Sequence, residues 1–173
     1  MIVWLNGPFG VGKSTLSAEL CRREAAARQF DPERIGGVLK RTIGLIRGGD
    51  YQDLPAWRAA TVSAAAWQAR GADPLVVPMT LLRRRYLEEI HGRLQARGQE
   101  VHHVLLDASA EVLVERIEAD DNPDPQGWRM DNLGAYLTAR RELRELATVI
   151  DTDDLTPEEV ADELQALVQA WRD

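Results

Sequence analysis

Residues 2–14 read Ile2-Val3-Trp4-Leu5-Asn6-Gly7-Pro8-Phe9-Gly10-Val11-Gly12-Lys13-Ser14. Ile2 to Leu5 is apolar on every side, the pattern of a strand buried on both faces of a parallel sheet. Gly7 to Ser14 satisfies G-x-x-x-x-G-K-[ST], and Leu16, Leu20 and Ala27 then recur at helical spacing, which predicts a helix from Lys13 to about Gln29. Strand, glycine loop and helix in that order are the context the phosphate-binding pattern requires. Glycines let successive backbone N–H groups turn inward around a phosphate, and the helix start adds the positive end of its dipole. Lys13 supplies a point charge at the β- and γ-phosphates, and the Ser14 hydroxyl is suited to ligate Mg²⁺. The expected nucleotide-binding set is Gly7, Gly10, Val11, Gly12, Lys13, Ser14 and Thr15, with ATP and Mg²⁺ as cofactors. A glycine-rich turn without a ligand is the bland alternative, and the agreement of motif and flanking elements counts against it.

Outward from this loop, strands alternate with helices. Phe30 and Asp31 precede Pro32, which ends a short strand and leaves Asp31 at its tip. Between Asp31 and Pro74 the pattern weakens around Gly36, Gly37, Gly48 and Gly49, so ligand-facing, mobile structure is expected there, with one firm helix over about 55–69. Leu75 to Val77 reads as a buried strand ending at Pro78, followed by a helix carrying Tyr86, Ile90 and Leu94 and stopped by Gly98. Val101 to Leu106 is the next strand, and Ser109 caps a helix with Leu113 and Ile117 inward. Asp120 to Asp131, with two prolines and a glycine, interrupts the pattern as a short lid. A helix over about 133–147, the strand Thr148 to Ile150 and a last helix complete the chain. Thr156, Pro157 and Glu159 form a capping box at that helix start. Repeated βαβ units mean a parallel sheet covered on both sides, here as a single domain over 1–173.

Composition narrows the possibilities. A chain of 173 residues is the size of one self-sufficient core, and no run approaches the length of a membrane helix. The net charge of −7 is the wrong sign for broad attraction to nucleic acid, so an anionic ligand has to be caught locally. Cys21 is the only cysteine, which excludes an internal disulfide or a multi-thiolate metal site and favours a cytoplasmic location. The first residues lack an export-signal pattern and are expected to be structure. A guanine-reading Asn-Lys-x-Asp is missing, which argues against a switch GTPase. Small-molecule kinases need only the cradle, a carboxylate that orients the acceptor hydroxyl, and arginines over the transferring phosphoryl group. Asp31 is the expected base or Mg²⁺-orienting group, because carboxyl ends of strands line the ligand crevice of an open α/β sheet. Asp-Pro as a plain turn or helix cap is the alternative. Asp107 is the competing metal carboxylate. Arg116 is expected at ATP and in catalysis, and Arg129 in the lid; Arg83, Arg84 and Arg85 hint at an anionic partner or form a solvated face.

Five blocks together resemble the tunicamycin-resistance ATP-binding protein family: residues 2–14, Phe30-Asp-Pro-Glu33, Asp53-Leu-Pro-Ala-Trp-Arg58, Val77-Pro-Met-Thr80 and Val101-His-His103. The resemblance covers about the first two thirds of the chain. It implies a doubly wound five-stranded parallel sheet of the nucleoside monophosphate kinase and antibiotic phosphotransferase type. It also implies ATP contacts at Gly10, Gly12, Lys13 and Ser14 and an acceptor pocket around Asp31, Asp53, Trp57 and Arg58. Trp57 would stack a uracil or sugar face and Arg58 would hold a pyrophosphate, with core packing as the alternative for both. The expected activity is phosphorylation of a hydroxyl on a tunicamycin-like nucleoside antibiotic; sequestration of the drug without chemistry, or a kinase for a small metabolite, are the alternatives. Asp120, Asp121 and Asp124 stand in the lid where phosphate-clamping kinases carry arginines, a departure that points to low turnover. The acidic last helix is expected to pack on the sheet and not to bind a membrane surface. His102 and His103 are expected to pack without chemistry.

Overall fold

The computed structural model describes residues 1–43, 50–120 and 126–173. β1 (Ile2–Asn6) is buried along its whole length, as an apolar strand with neighbours on both edges and both faces must be. It pairs in parallel with β3 (Leu75–Pro78) on one side and β4 (Val101–Asp107) on the other. β2 (Arg28–Gln29) adds to β3, and β5 (Thr148–Asp151) to β4, giving the all-parallel order β2-β3-β1-β4-β5. The strand order reverses across β1, so the loop leaving its carboxyl end opens at the switch point where α/β sheets bind ligands. The flanking helices are α1 (Lys13–Arg23), α2 (Glu33–Ile43), α3 (Pro55–Gln68), α4 (Arg84–Gln95), α5 (Ala110–Ala119), α6 (Gln126–Glu145) and α7 (Pro157–Arg172). α1 packs on α7, α3 on α4 and α5 on α6.

Three boundaries differ from the sequence expectation. α1 ends at Arg23 instead of running to Gln29: Arg28 and Gln29 give their backbone to the edge of β3, and Ala27 is buried in the turn between. α2 occupies a stretch expected to be irregular. Its Gly36 is a packing residue, since a Cβ there would sit 2.8 Å from the Tyr51 ring. α6 begins at Gln126, within the expected lid, so only residues 121–125 of that break lie outside the described residues, as do Gly48 and Gly49. The Ser109 cap and the capping box match the sequence: Ser109 Oγ accepts the Val112 N–H, and Thr156 and Glu159 cap each other reciprocally. Among the described residues no helix is long and apolar enough to cross a membrane.

A histidine pair, His91 of α4 and His103 of β4, packs beside β1. The Trp4 ring lies 5.2 Å from His91, and His91 lies 5.3 Å from His103. His91 Nε2 and Trp4 Nε1 are buried without a hydrogen-bond partner among the described residues. Burial, with a smaller push from His103, pulls His91 down to about 3, and burial also lowers His103. A histidine held neutral in the fold contributes stability above its unfolded pKa, and that stability fades as pH falls below about 6.5, at ~1.4 kcal/mol per pH unit per group. Thermal melts should therefore show Tm dropping between pH 7 and pH 5, above the range where the paired carboxylates titrate. His91→Phe should flatten that drop, and an unchanged slope would remove His91 as its source.

Candidate functional site

The loop after β1 is fixed at its root by Asn6, a fully buried amide at the end of an apolar strand. Its Oδ1 accepts the N–H groups of Gly7 and Leu81, both at 2.9 Å, and its Nδ2 donates to the Leu81 carbonyl at 2.8 Å. Thr80 Oγ1 donates to the Gly7 carbonyl at 2.9 Å, so the loop is clamped to the segment after β3. Gly7 has φ +145°, and a Cβ there would stand 2.5 Å from the Leu106 carbonyl oxygen of β4. At Gly10, with φ +78°, a Cβ would press on Ile117 at 3.1 Å. Only glycine lets the chain turn this tightly against its neighbours. The loop then enters α1, whose first residue Lys13 donates its ammonium to the Gly7 and Pro8 carbonyls at 2.9 and 2.6 Å. Ser14 and Thr15 stand beside it, on the open side of the helix start. Burial pulls the Lys13 ammonium down to about 7, partly opposed by the Glu33 carboxylate.

Two clefts meet at this loop. The larger, of about 810 Å³, runs between α1, α5 and the entry to α7, with Val11, Leu16, Leu155, Pro157 and Val160 giving it apolar walls suited to a flat base. The smaller, of about 440 Å³, is lined among others by Lys13, Ser14, Asp31, Thr80 and Asp120. Gly10, Gly12, Thr15 and Arg116 border both, so Arg116 stands where they join. Among the described residues its guanidinium is held by Thr152: Nη1 donates to Thr152 Oγ1 at 2.9 Å and Nη2 to the Thr152 carbonyl at 2.7 Å. Thr152 is buried, its hydroxyl donating to the Asp107 carbonyl at 3.0 Å.

Asp31 lies on the wall of the smaller cleft and also starts α2, its Oδ1 accepting the Glu33 N–H at 2.8 Å. The cap reading of the Asp-Pro pair therefore holds, with the carboxylate also facing the cleft. Asp107 is not placed to take a metal. Its fully buried carboxylate accepts from Tyr136 Oη at 2.5 Å, Arg140 Nε at 2.9 Å, Arg144 and the Ala108 N–H. Burial pushes that carboxyl up, and the hydrogen bonds from Tyr136, Arg140 and Arg144 outweigh it, holding it below the usual carboxylate range. Arg129 is buried on Asp120 at 3.0 Å, while Asp121 and Asp124 lie outside the described residues.

The remaining acceptor candidates sit away from the cleft walls. Trp57 is fully buried, with Nε1 donating to the Pro32 carbonyl at 3.1 Å and its ring 5.2 Å from Tyr51, which joins α3 to the start of α2. No face remains for a ligand. Arg58 is buried over the Tyr86 ring and committed to Glu89 at 2.6 Å and the Gln52 carbonyl at 2.6 Å, so it does not hold a pyrophosphate. Asp53 accepts from Tyr86 Oη at 2.6 Å and from Arg83; the Tyr86 bond first, then the nearby arginines, keep its carboxyl low. Arg85 also donates to Tyr86 Oη, and Arg84 pairs with Glu88. His102 stacks on Trp171 at 4.0 Å and His103 Nδ1 meets the Leu146 carbonyl. Sequence reasoning misses Asn6, Thr152 and Phe9. Asn6 carries a signal, since an amide ending an apolar strand has to find partners in the core.

Among the described residues no group of three or more His, Cys, Asp or Glu is assembled to hold a metal. Mg²⁺ needs no such cage, because it is bound through one or two protein oxygens with phosphates and water. Ser14 and Asp31, both lining the smaller cleft, fit that requirement.

A glycine loop at the switch point, a lysine at its helix start and a base-sized cleft beside it define a P-loop domain of the kinase-like type. The AAA domain family model matches residues 2–126. The chain belongs to that family and also to the family of the tunicamycin resistance protein of Deinococcus radiodurans, with which it shares 34% identity over 96% of this chain and 94% of that one, at a TM-score of 0.74. The fold is also that of a gluconokinase from Sinorhizobium meliloti 1021 (20% identity, 98% and 91% coverage, TM-score 0.68). A shikimate kinase from Aquifex aeolicus vf5 shares it too (20% identity, 98% and 97% coverage, TM-score 0.58). No curated protein sequence matches the chain.

With Lys13 near 7 in the free protein and charged against a triphosphate, ATP binding at pH 8 should take up about one proton, and affinity should fall as pH rises from 7 to 9. Calorimetry in two buffers of different ionisation enthalpy measures this. Heats that do not depend on the buffer would refute it.

Proposed function

We propose that the protein transfers the γ-phosphoryl group of ATP to a hydroxyl of a tunicamycin-like nucleoside antibiotic. The observation that carries this reading is that Lys13, Ser14 and Asp31 line one cleft, which continues past Arg116 into the apolar one. The base would lie between Leu16, Leu155 and Pro157, with the phosphates over the N–H groups of the glycine loop. Mg²⁺, held by Ser14, would neutralise charge on the β- and γ-phosphates. Lys13 would leave the Gly7 and Pro8 carbonyls for the phosphates, and Arg116 would cover the transferring group. Asp31 accepts the proton of the acceptor hydroxyl as the new O–P bond forms and the bond to ADP breaks, so charge and atoms balance. Family membership supports the antibiotic as acceptor, and the net charge of −7 disfavours nucleic acid as a partner.

Incubation with Mg-ATP and tunicamycin should add the mass of one phosphate to the drug. Unchanged drug with tight binding would instead establish sequestration. Lys13→Ala should weaken ATP binding and lower turnover at least ~100-fold. Asp31→Asn should leave the ATP Kd within about twofold while cutting kcat by ~100-fold or more. Equal turnover in that variant would remove Asp31 from the chemistry.

A further inference from the structure

The His102-His103 pair, expected to pack without chemistry, sets one of its rings against the amide that roots the glycine loop. β1 and β4 run in parallel with Trp4 opposite His103 and Asn6 opposite Leu105, so His103 is the diagonal neighbour of Asn6 on the same face of the sheet. Asn6 Nδ2 and His103 Nε2 stand 3.3 Å apart. On its other side the ring brings Nδ1 to 3.0 Å from the carbonyl of Leu146, the residue after α6. One imidazole therefore bridges the end of α6 to the root of the loop.

Partner chemistry fixes each proton in this bridge, because backbone N–H groups only donate and carbonyls only accept. The arm of Asn6 that receives the Gly7 and Leu81 N–H groups is Oδ1. The other arm is Nδ2, with one hydrogen on the Leu81 carbonyl and one left for the ring. The Leu146 carbonyl claims a hydrogen on Nδ1, which leaves the lone pair of a neutral ring on Nε2, facing that amide hydrogen. A proton on Nε2 would set two donors face to face. Turning the amide over to relieve them would point its hydrogens at the N–H groups of Gly7 and Leu81, so the clamp and the charged ring exclude each other. The titratable group facing His103 is His91 of α4, its ring 5.3 Å away; β1 presents the Asn6 amide, and β5 brings Asp151 only at the far end of β4, opposite Asp107. Among the described residues no carboxylate or cation pairs with His103. Burial lowers its pKa, opposed by the bond to Leu146, so the fold favours the neutral ring.

We propose that His103 is a positioning residue for phosphate binding: as the neutral Nδ1–H imidazole it holds the Asn6 amide in one orientation, and through that amide it keeps the glycine loop in the shape that receives a phosphate. This rests on nucleotide binding at the loop, the first half of the proposed function, and not on the acceptor. His103 lines neither cleft, so its influence is carried by Asn6.

The test uses the full chain. Long-range ¹H–¹⁵N spectra of the three histidines, with His91 and His102 assigned by their loss in His91→Phe and His102→Gln, should show His103 at neutral pH with a protonated Nδ1 and a bare Nε2. The opposite tautomer, or a charged ring, overturns the proposal on the unaltered protein, whether or not a His103 variant folds. His103→Leu removes the acceptor and should speed exchange of the Gly7 amide at least about tenfold and weaken ADP binding at least about fivefold. His103→Gln, which returns an acceptor oxygen near the place of Nε2, should bind ADP within about twofold of the unaltered protein. His91→Phe changes the neighbouring ring, which does not meet Asn6, and should leave ADP affinity within about twofold as well. A ring that serves packing alone predicts that Gln and Leu at position 103 lose affinity alike, or that His91→Phe loses as much as His103→Leu. Either result overturns the proposal, as does ADP affinity that His103→Leu leaves unchanged. Absence of ADP binding by the unaltered protein would sink the nucleotide reading itself, so the two failures are told apart.

Discussion

The amide of Asn6 is the constraint from which the site is built. It closes the central strand, takes two backbone N–H groups from different segments and returns a hydrogen bond to one of them. Each such bond contributes about 1 kcal/mol net, and leaving a buried donor or acceptor unmet costs about 1–3 kcal/mol. The segment after β3 and the glycine loop are therefore positioned by one fully buried side chain. Thr80 repeats the clamp from the other side. Between them, these two side chains set the width of the anion cradle before any phosphate arrives.

A second constraint lies one strand away. The Asp107 carboxylate is buried, and removing one partner of such a cluster typically costs about 3–5 kcal/mol, because a charge is left uncompensated. Its partners come from the middle and end of α6, so the carboxylate decides where that helix sits against the sheet.

The strand-loop-helix opening, the parallel sheet and the capped last helix were legible because each rests on local signals: periodicity, glycine spacing and cap chemistry. α2 was hidden because Gly36 reads as a breaker until the Tyr51 ring that demands it is brought near from 15 residues away. The glycine loop and the helix start that carries Lys13 and Ser14 were legible for the same local reason as the fold. The surroundings of the acceptor candidates were not. Asp53, Trp57 and Arg58 have residue types that suit a ligand, but their partners Pro32, Gln52, Tyr86 and Glu89 are assembled by tertiary packing, and those partners use up the polar groups.

Arg116 and its tether have a further consequence. One guanidinium is part of the wall of two compartments, and the same threonine fixes both of its ends. Whatever moves that cation on filling one chamber is felt in the other, and thermodynamic reciprocity makes the influence equal in both directions. The two chambers are therefore not separate modules. On the proposed reading, selection for a different nucleotide would alter what the neighbouring chamber accepts, and a change in acceptor preference would carry its own shift in nucleotide affinity.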